Sequence, residues 1–219
     1  HISAELTARI KKRLDYNKRT RIQSDADEKI IQHLPPDLVV DLFFESRTPL
    51  VHHHTYFFML GYRCPRILRQ LCSDAMEEIT QNQPDETIFS SGDACQQMFF
   101  ISSGHVEYLS CQSGRFAPSQ SISLGMFNPS KSGDQADEMA FPLTKRDYIC
   151  EPVLWMTWEY CGLLTTRSPV CLLSINAQRF TEVVKQFHFA LVNTSRYAAE
   201  FLHRMVKAGR RTDLALPDH

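Results

Sequence analysis

Residues 82–109, NQPDETIFSSGDACQQMFFISSGHVEYL, constrain the fold more than any other part of the sequence. The apolar, β-favouring residues Ile88, Phe89, Met98, Phe99, Phe100, Ile101 and Val106 fall in short runs punctuated at Pro84-Asp85, Gly92-Asp93 and Gly104. Runs this short are strands rather than helices. The two glycines sit where the chain must reverse, and a residue without Cβ enters positive φ there freely. The spacing predicts two or three antiparallel strands that open a β-roll.

The rest of the chain surrounds that roll. Strands are expected at 78–82, 86–90, 97–102, 105–111 and 120–127, a polar loop at 129–137, and a buried strand at 170–175. Ahead of them, residues 3–20 carry a thin apolar stripe of Leu6, Ile10 and Leu14 among lysines and arginines. A second helix begins after Ser24-Asp25 and ends at Pro35-Pro36, and others are expected at 37–44, 50–60 and 65–76. Behind the roll, Asn176 is placed to cap a helix starting at Ala177, and a last helix spans 189–208 with Gly209 as its stop. The order makes an α+β chain: an N-terminal helical linker (1–62), an antiparallel β-roll of the double-stranded β-helix type with flanking C-terminal helices (63–210), and a tail (211–219).

Composition narrows the function. A formal charge of −1 over 219 residues gives no general electrostatic case for nucleic acid as a partner. The seven cysteines are odd in number and contain no C-x-x-C pair, so they are expected to be free thiols. No apolar run approaches the roughly 20 residues of a membrane span. No pattern groups a nucleophile, a base and an orienting residue, which argues against an enzyme. His52, His53 and His54, taken as neighbours on one helix, diverge and make no metal site. The chain opens at His1 in a polar helical pattern without methionine and is expected to be a segment of a longer protein.

The order of a polar Pro-Asp turn, an Ile-Phe strand, Ser-Gly-Asp and Met-Phe-Phe-Ile-x-x-Gly resembles the start of a cyclic nucleotide-binding domain. Upstream, IIQHLPPDLVVDLFF at 30–44 resembles the acidic-x-x-Leu-Pro-x-x-Leu stretch in the C-linker of cyclic nucleotide-gated, hyperpolarisation-activated and related voltage-gated cation channels. Together the resemblances cover residues 5 to 208. They imply a regulatory domain at the cytoplasmic face of a membrane, joined to the transmembrane pore domain of the same chain. They also imply a homo-tetramer built through the linker helices, potassium as the ion, no cofactor, and cAMP or cGMP as candidate ligand. A structural assembly module, or the sensing domain of a soluble protein such as a kinase, is the alternative.

The family binds its nucleotide through a cassette of Gly-Glu, a short helix, then Arg, Ser/Thr and a small residue. By that resemblance the short helix offers amides to the cyclic phosphate, the arginine neutralises it and the glutamate takes the ribose hydroxyl. Counting back from CLLSINAQRF at 171–180 places Glu151, Pro152, Val153 and Leu154 on the first half, Tyr160 on the arginine, Cys161 on Ser/Thr and Gly162 on the small residue. Cys150 then replaces the glycine, Pro152 removes an amide, and Tyr160 removes a permanent charge. Arg167, Lys145 and Arg146 are candidate replacements for that charge. A second placement, on Asp137-Glu138-Met139-Ala140, requires an insertion before the last strand. Trp155 and Trp158 are candidate stacking residues, and Arg204 and Lys207 candidate lid contacts from the last helix.

Overall fold

The computed structural model describes residues 31–81, 83–110, 139–209 and 211–216. The helices expected over 3–20 and after Ser24, the strand at 120–127 and the loop at 129–137 lie outside the described residues, apart from the end of the second helix.

Helix α1 (Pro36–Val51) starts with a proline in its first turn, where the missing amide is no loss, and runs well past the expected end at residue 44. Helix α2 (Thr55–Arg63) follows after a break at 52–54, within the span expected to be continuous from 50 to 60. The break has a chemical cause: His54 stays extended and its Nδ1 accepts the Tyr56 amide at 3.2 Å, so the imidazole acts as an N-cap. The three histidines therefore lie in a helix–helix turn, not on one helix. Helix α3 (Pro65–Asp74) leads into the roll. Buried Arg47 of α1 donates to the carbonyls of Cys72 and Met76, closing the C-terminal end of α3.

The roll consists of two four-stranded antiparallel sheets and one short pair. The strands are β1 (Met76–Gln81), β2 (Thr87–Phe89), β3 (Ala94–Cys95), β4 (Gln97–Ser103), β5 (Val106–Ser110), β6 (Met139–Leu143), β7 (Tyr148–Ile149), β8 (Trp158–Glu159), β9 (Gly162–Thr166) and β10 (Val170–Asn176). One sheet runs β1-β10-β4-β7, the other β2-β9-β5-β6, and β3 pairs with β8. Helices α4 (Ala177–Lys185) and α5 (His188–Ala208) follow. Asn176 accepts from the Arg179 amide at 2.9 Å, and Gly209 ends α5 in the left-handed region, both as the sequence implies.

The unbroken run Met98-Phe99-Phe100-Ile101 has a structural reason. Strand β4 is covered on both faces, so all four residues are buried. Phe99 stacks on Phe89 inside the roll, with centroids 6.2 Å apart, while Phe100 meets Phe57 of α2 at 6.0 Å on the helical side. Gly92 and Gly104 both have positive φ, at 89° and 86°. A Cβ at Gly92 would meet nothing within 4 Å, whereas at Gly104 it would lie 2.2 Å from the Pro169 carbonyl oxygen. Gly104→Ala is therefore expected to destabilise by about 2 kcal/mol, against about 1 kcal/mol for Gly92→Ala. Urea melts of the two variants check it, and equal losses would show that backbone crowding at Gly104 does not matter.

Candidate functional site

The cassette assigned from sequence forms one continuous structure. Residues Glu151–Leu154 make a 3-10 turn whose four side chains are all buried. Cys150, ahead of it, adopts φ 69° and ψ 29°, the left-handed conformation the family's glycine would take without strain. Two of the turn's four residues lack an outward amide of the kind the resemblance implies. Pro152 has none, and the Val153 amide turns back onto the Cys150 carbonyl at 3.3 Å. Val153 and Leu154 belong to the hydrophobic core.

Glu151 faces the helices. Its Oε1 accepts from Trp155 Nε1 at 3.2 Å and from the Tyr197 hydroxyl of α5 at 3.1 Å. His54 Nε2 comes within 3.2 Å of the same oxygen, off the line of a good hydrogen bond. Because His54 Nδ1 is an acceptor, its proton sits on Nε2, facing the carboxylate. A single buried oxygen thus gathers the turn before α2, the cassette and α5. Trp155 completes the seam, with its ring 5.1 Å from Tyr56, 5.2 Å from Tyr197 and 5.7 Å from Phe180. It packs between helices rather than offering a stacking face. Arg204 lies 5.9 Å from the Tyr197 ring and 5.8 Å from Phe201 on its own helix, with Nη2 3.5 Å from the Tyr197 hydroxyl.

The second half of the cassette faces into the roll, and the chain's own tail meets it there. Ile149 bridges to Leu214, and the Cys150 amide donates to the Asp213 carbonyl at 2.7 Å, so residues 211–216 run along β7. The Asp213 side chain is fully buried. Its Oδ1 accepts from Trp158 Nε1 at 2.6 Å, and its Oδ2 from the Tyr108 hydroxyl at 2.9 Å and the Cys161 amide at 2.7 Å. Cys161 and Gly162 are the positions the resemblance gives to the phosphate-facing Ser/Thr and small residue, so a carboxylate occupies a donor expected for a cyclic phosphate.

Burial pushes the Asp213 carboxyl above the ordinary aspartate value, against the pull of the groups that donate to it. Burial, together with the Asp213 charge, pushes the Cys161 thiol up to about 12 and the Tyr108 phenol higher still. Tyr160, on the arginine position, is also raised by burial and lies flat on Phe89, with centroids 3.8 Å apart and planes at 8°. It fills space where the family places charge. Burial raises Cys150 strongly, and the hydrogen bond between the Cys95 and Cys150 thiols lowers Cys95.

None of the proposed replacement cations reaches this cage by any contact in the structure. Arg167 is exposed and bridges Asp85 and Glu107 on the outer surface. Arg146 lies in the β6–β7 turn with φ 83°. Arg211 covers the Trp158 ring at 4.8 Å, and it arrives on the same tail as Asp213. In the alternative cassette placement, Met139 and Ala140 lie in β6, paired with Ser110 and Leu109, and form a strand instead of a binding turn; Asp137 and Glu138 fall outside the described residues.

Sequence reasoning did not find Asp213, Tyr108, His54 or Tyr197 as site residues. The available signal was the lone acid in Thr-Asp-Leu-Ala-Leu, where the alternation of Leu214 and Leu216 marks an extended segment with a buried face. No family model and no curated protein matches the sequence. Solved structures do match. The sensor domain of the transcriptional regulator DNR from Pseudomonas aeruginosa is 13% identical, covers 80% of this chain and 99% of its own, and has a TM-score of 0.50. A structure described as cAMP-bound PfPKA-R (141–441) is 12% identical over 77% of this chain, with a TM-score of 0.46, and this chain spans only 49% of its length. At such identities the likeness carries architecture and no chemistry: the described residues share the fold of that sensor domain, an α+β β-roll with C-terminal helices.

Proposed function

We propose that this chain is a regulatory domain of the cyclic nucleotide-binding fold that works with its pocket occupied from within, the segment 211–216 serving as a tethered ligand. The observation that carries this is Asp213, fully buried and bonded to the Cys161 amide at 2.7 Å, where a ligand's anion would bond. Cyclic AMP or cGMP would have to displace the tail and then bind without an arginine. A charge-assisted hydrogen bond contributes about 1.5–3 kcal/mol, so its absence alone weakens a phosphate ligand by roughly tenfold to a hundredfold. Seating and release of the tail give the roll two states, and a regulator acts by differing in affinity between them. The seam at Glu151 supplies a route from cassette to α5 and to the turn before α2.

The host in this proposal is a tetrameric cation channel with the chain beneath its pore, on the strength of the resemblance of 30–44 to a C-linker. Among the described residues no helix is long and apolar enough to cross a membrane. Sequence upstream of His1 tests the host: six apolar spans and a pore loop support it, and their absence favours a soluble sensor such as a kinase regulatory domain.

Amide hydrogen exchange tests the occupied pocket. In the intact chain the Cys150 and Cys161 amides should be protected, and in Asp213→Ala they should exchange freely while the β5–β9 ladder stays protected. Addition of cAMP or cGMP should leave the intact pattern unchanged. Free exchange of Cys161 in the intact chain, or micromolar nucleotide binding lost in Glu151→Ala, would overturn the reading.

A further inference from the structure

Between α2 and the first half of α5 lies an open cavity of about 310 Å³, on the helical side of the cassette and apart from the roll interior. Its floor is Leu60, Ala190 and the rings of Tyr56 and Tyr197, and its walls include the exposed side chains of Met59 and Phe189. The volume lies at the small end of ligand pockets, which run from roughly 300 to 1,000 Å³. The two tyrosines bring no free hydroxyl to it. Tyr56 Oη is bonded to Thr194 Oγ1 at 2.7 Å, and Tyr197 Oη donates to Glu151. Ring and aliphatic surface therefore dominates the floor, while Cys64 and Asn193 add a thiol and an amide to the lining.

Charge enters only at the rim. Arg63 and Arg196 line the opening, both exposed, and neither forms an ion pair among the described residues. Glu200 also lines it, one turn beyond Arg196 and not paired with it. Two guanidinium groups against one carboxylate leave a single positive charge beside an apolar slot. We infer that this cavity binds a small soluble amphipathic monoanion, a medium-chain carboxylate whose body lies on Leu60, Ala190 and the tyrosine rings while its headgroup pairs with Arg63 and Arg196.

Titration calorimetry on the full chain with decanoate, kept below its micelle concentration, tests this. Saturable one-to-one binding is expected, weakened about tenfold or more in the double variant Arg63→Glu/Arg196→Glu. The charge-matched control Arg66→Glu/Lys185→Glu, which alters exposed residues outside the cavity, should bind as the parent does. Decyltrimethylammonium, with the same chain and opposite charge, should not bind. Thermal melts of both double variants establish that they are folded. Absence of saturable decanoate binding to the folded parent, equal weakening in the control variant, or equal binding of the cation would each overturn the assignment.

Discussion

Replacing Asp213 by alanine is expected to destabilise the domain by about 4 kcal/mol, the largest loss from any single change at the site. The carboxylate bonds to Trp158 Nε1, the Tyr108 hydroxyl and the Cys161 amide, and among the described residues none of these donors has another acceptor. Each buried donor left unmet costs about 1–3 kcal/mol, and water entering behind a released tail recovers part of the sum. Asp213→Asn should lose less, about 2 kcal/mol. Its amide nitrogen must face either Trp158 or the Tyr108–Cys161 side, and the smaller conflict is the single one, with Trp158. Acidification separates charge from shape. Burial holds the folded-state value of Asp213 above the ordinary aspartate value, so ionisation weakens the fold. Its contribution is fully present below the ordinary aspartate value and is lost as pH rises through the raised one. The stability of the parent relative to Asp213→Asn should therefore widen as pH falls through that window. Denaturant melts across pH measure both quantities, and an alanine variant within about 1 kcal/mol of the parent would remove the tail from any structural role.

Much of this fold was legible because its signals are local. Gly92 and Gly104 marked turns that the structure forms with positive φ, Asn176 and Gly209 marked the ends of helices, and the Met98–Ile101 run marked a strand, which the structure buries on both faces. The cassette was placed by counting back from β10, and the residues assigned to it form a 3-10 turn followed by strands β8 and β9. What could not be read was direction and partnership. Glu151 was expected to meet a ribose and instead meets Trp155 and Tyr197, because the 3-10 turn points its carboxylate at the helices. Asp213 is 63 residues beyond Cys150 in sequence but bonded to it in space, a contact between a tail and a strand edge that no periodicity encodes. His54 appeared as one of three histidines on a helix, yet extended backbone at that residue turns it into a cap. Pairings of this kind are set by tertiary packing, which overrides local preference wherever a polar group needs a buried partner.

The direction of Glu151 leads to a second large effect, with a sign that separates two explanations for the residue. A carboxylate kept buried for a ligand is a burden in the empty protein, and its removal commonly stabilises the fold. A carboxylate that serves as acceptor for buried donors does the opposite. Glu151→Ala would strand the Tyr197 hydroxyl and the Trp155 indole N–H and leave His54 Nε2 facing a void, so we expect a loss of about 3 kcal/mol. Glu151→Gln, whose amide oxygen can take the place of Oε1, should lose about 1 kcal/mol, and Tyr197→Phe a similar amount. In a double-mutant cycle the Glu151 and Tyr197 substitutions should fail to add, since both remove the same bond. The alanine variant should also speed amide exchange around Tyr197 in α5 more than in β4, because the lost contact is the one joining the cassette to that helix. A Glu151→Ala protein more stable than its parent would return the residue to the role its sequence position suggests, an acid held in reserve for a nucleotide.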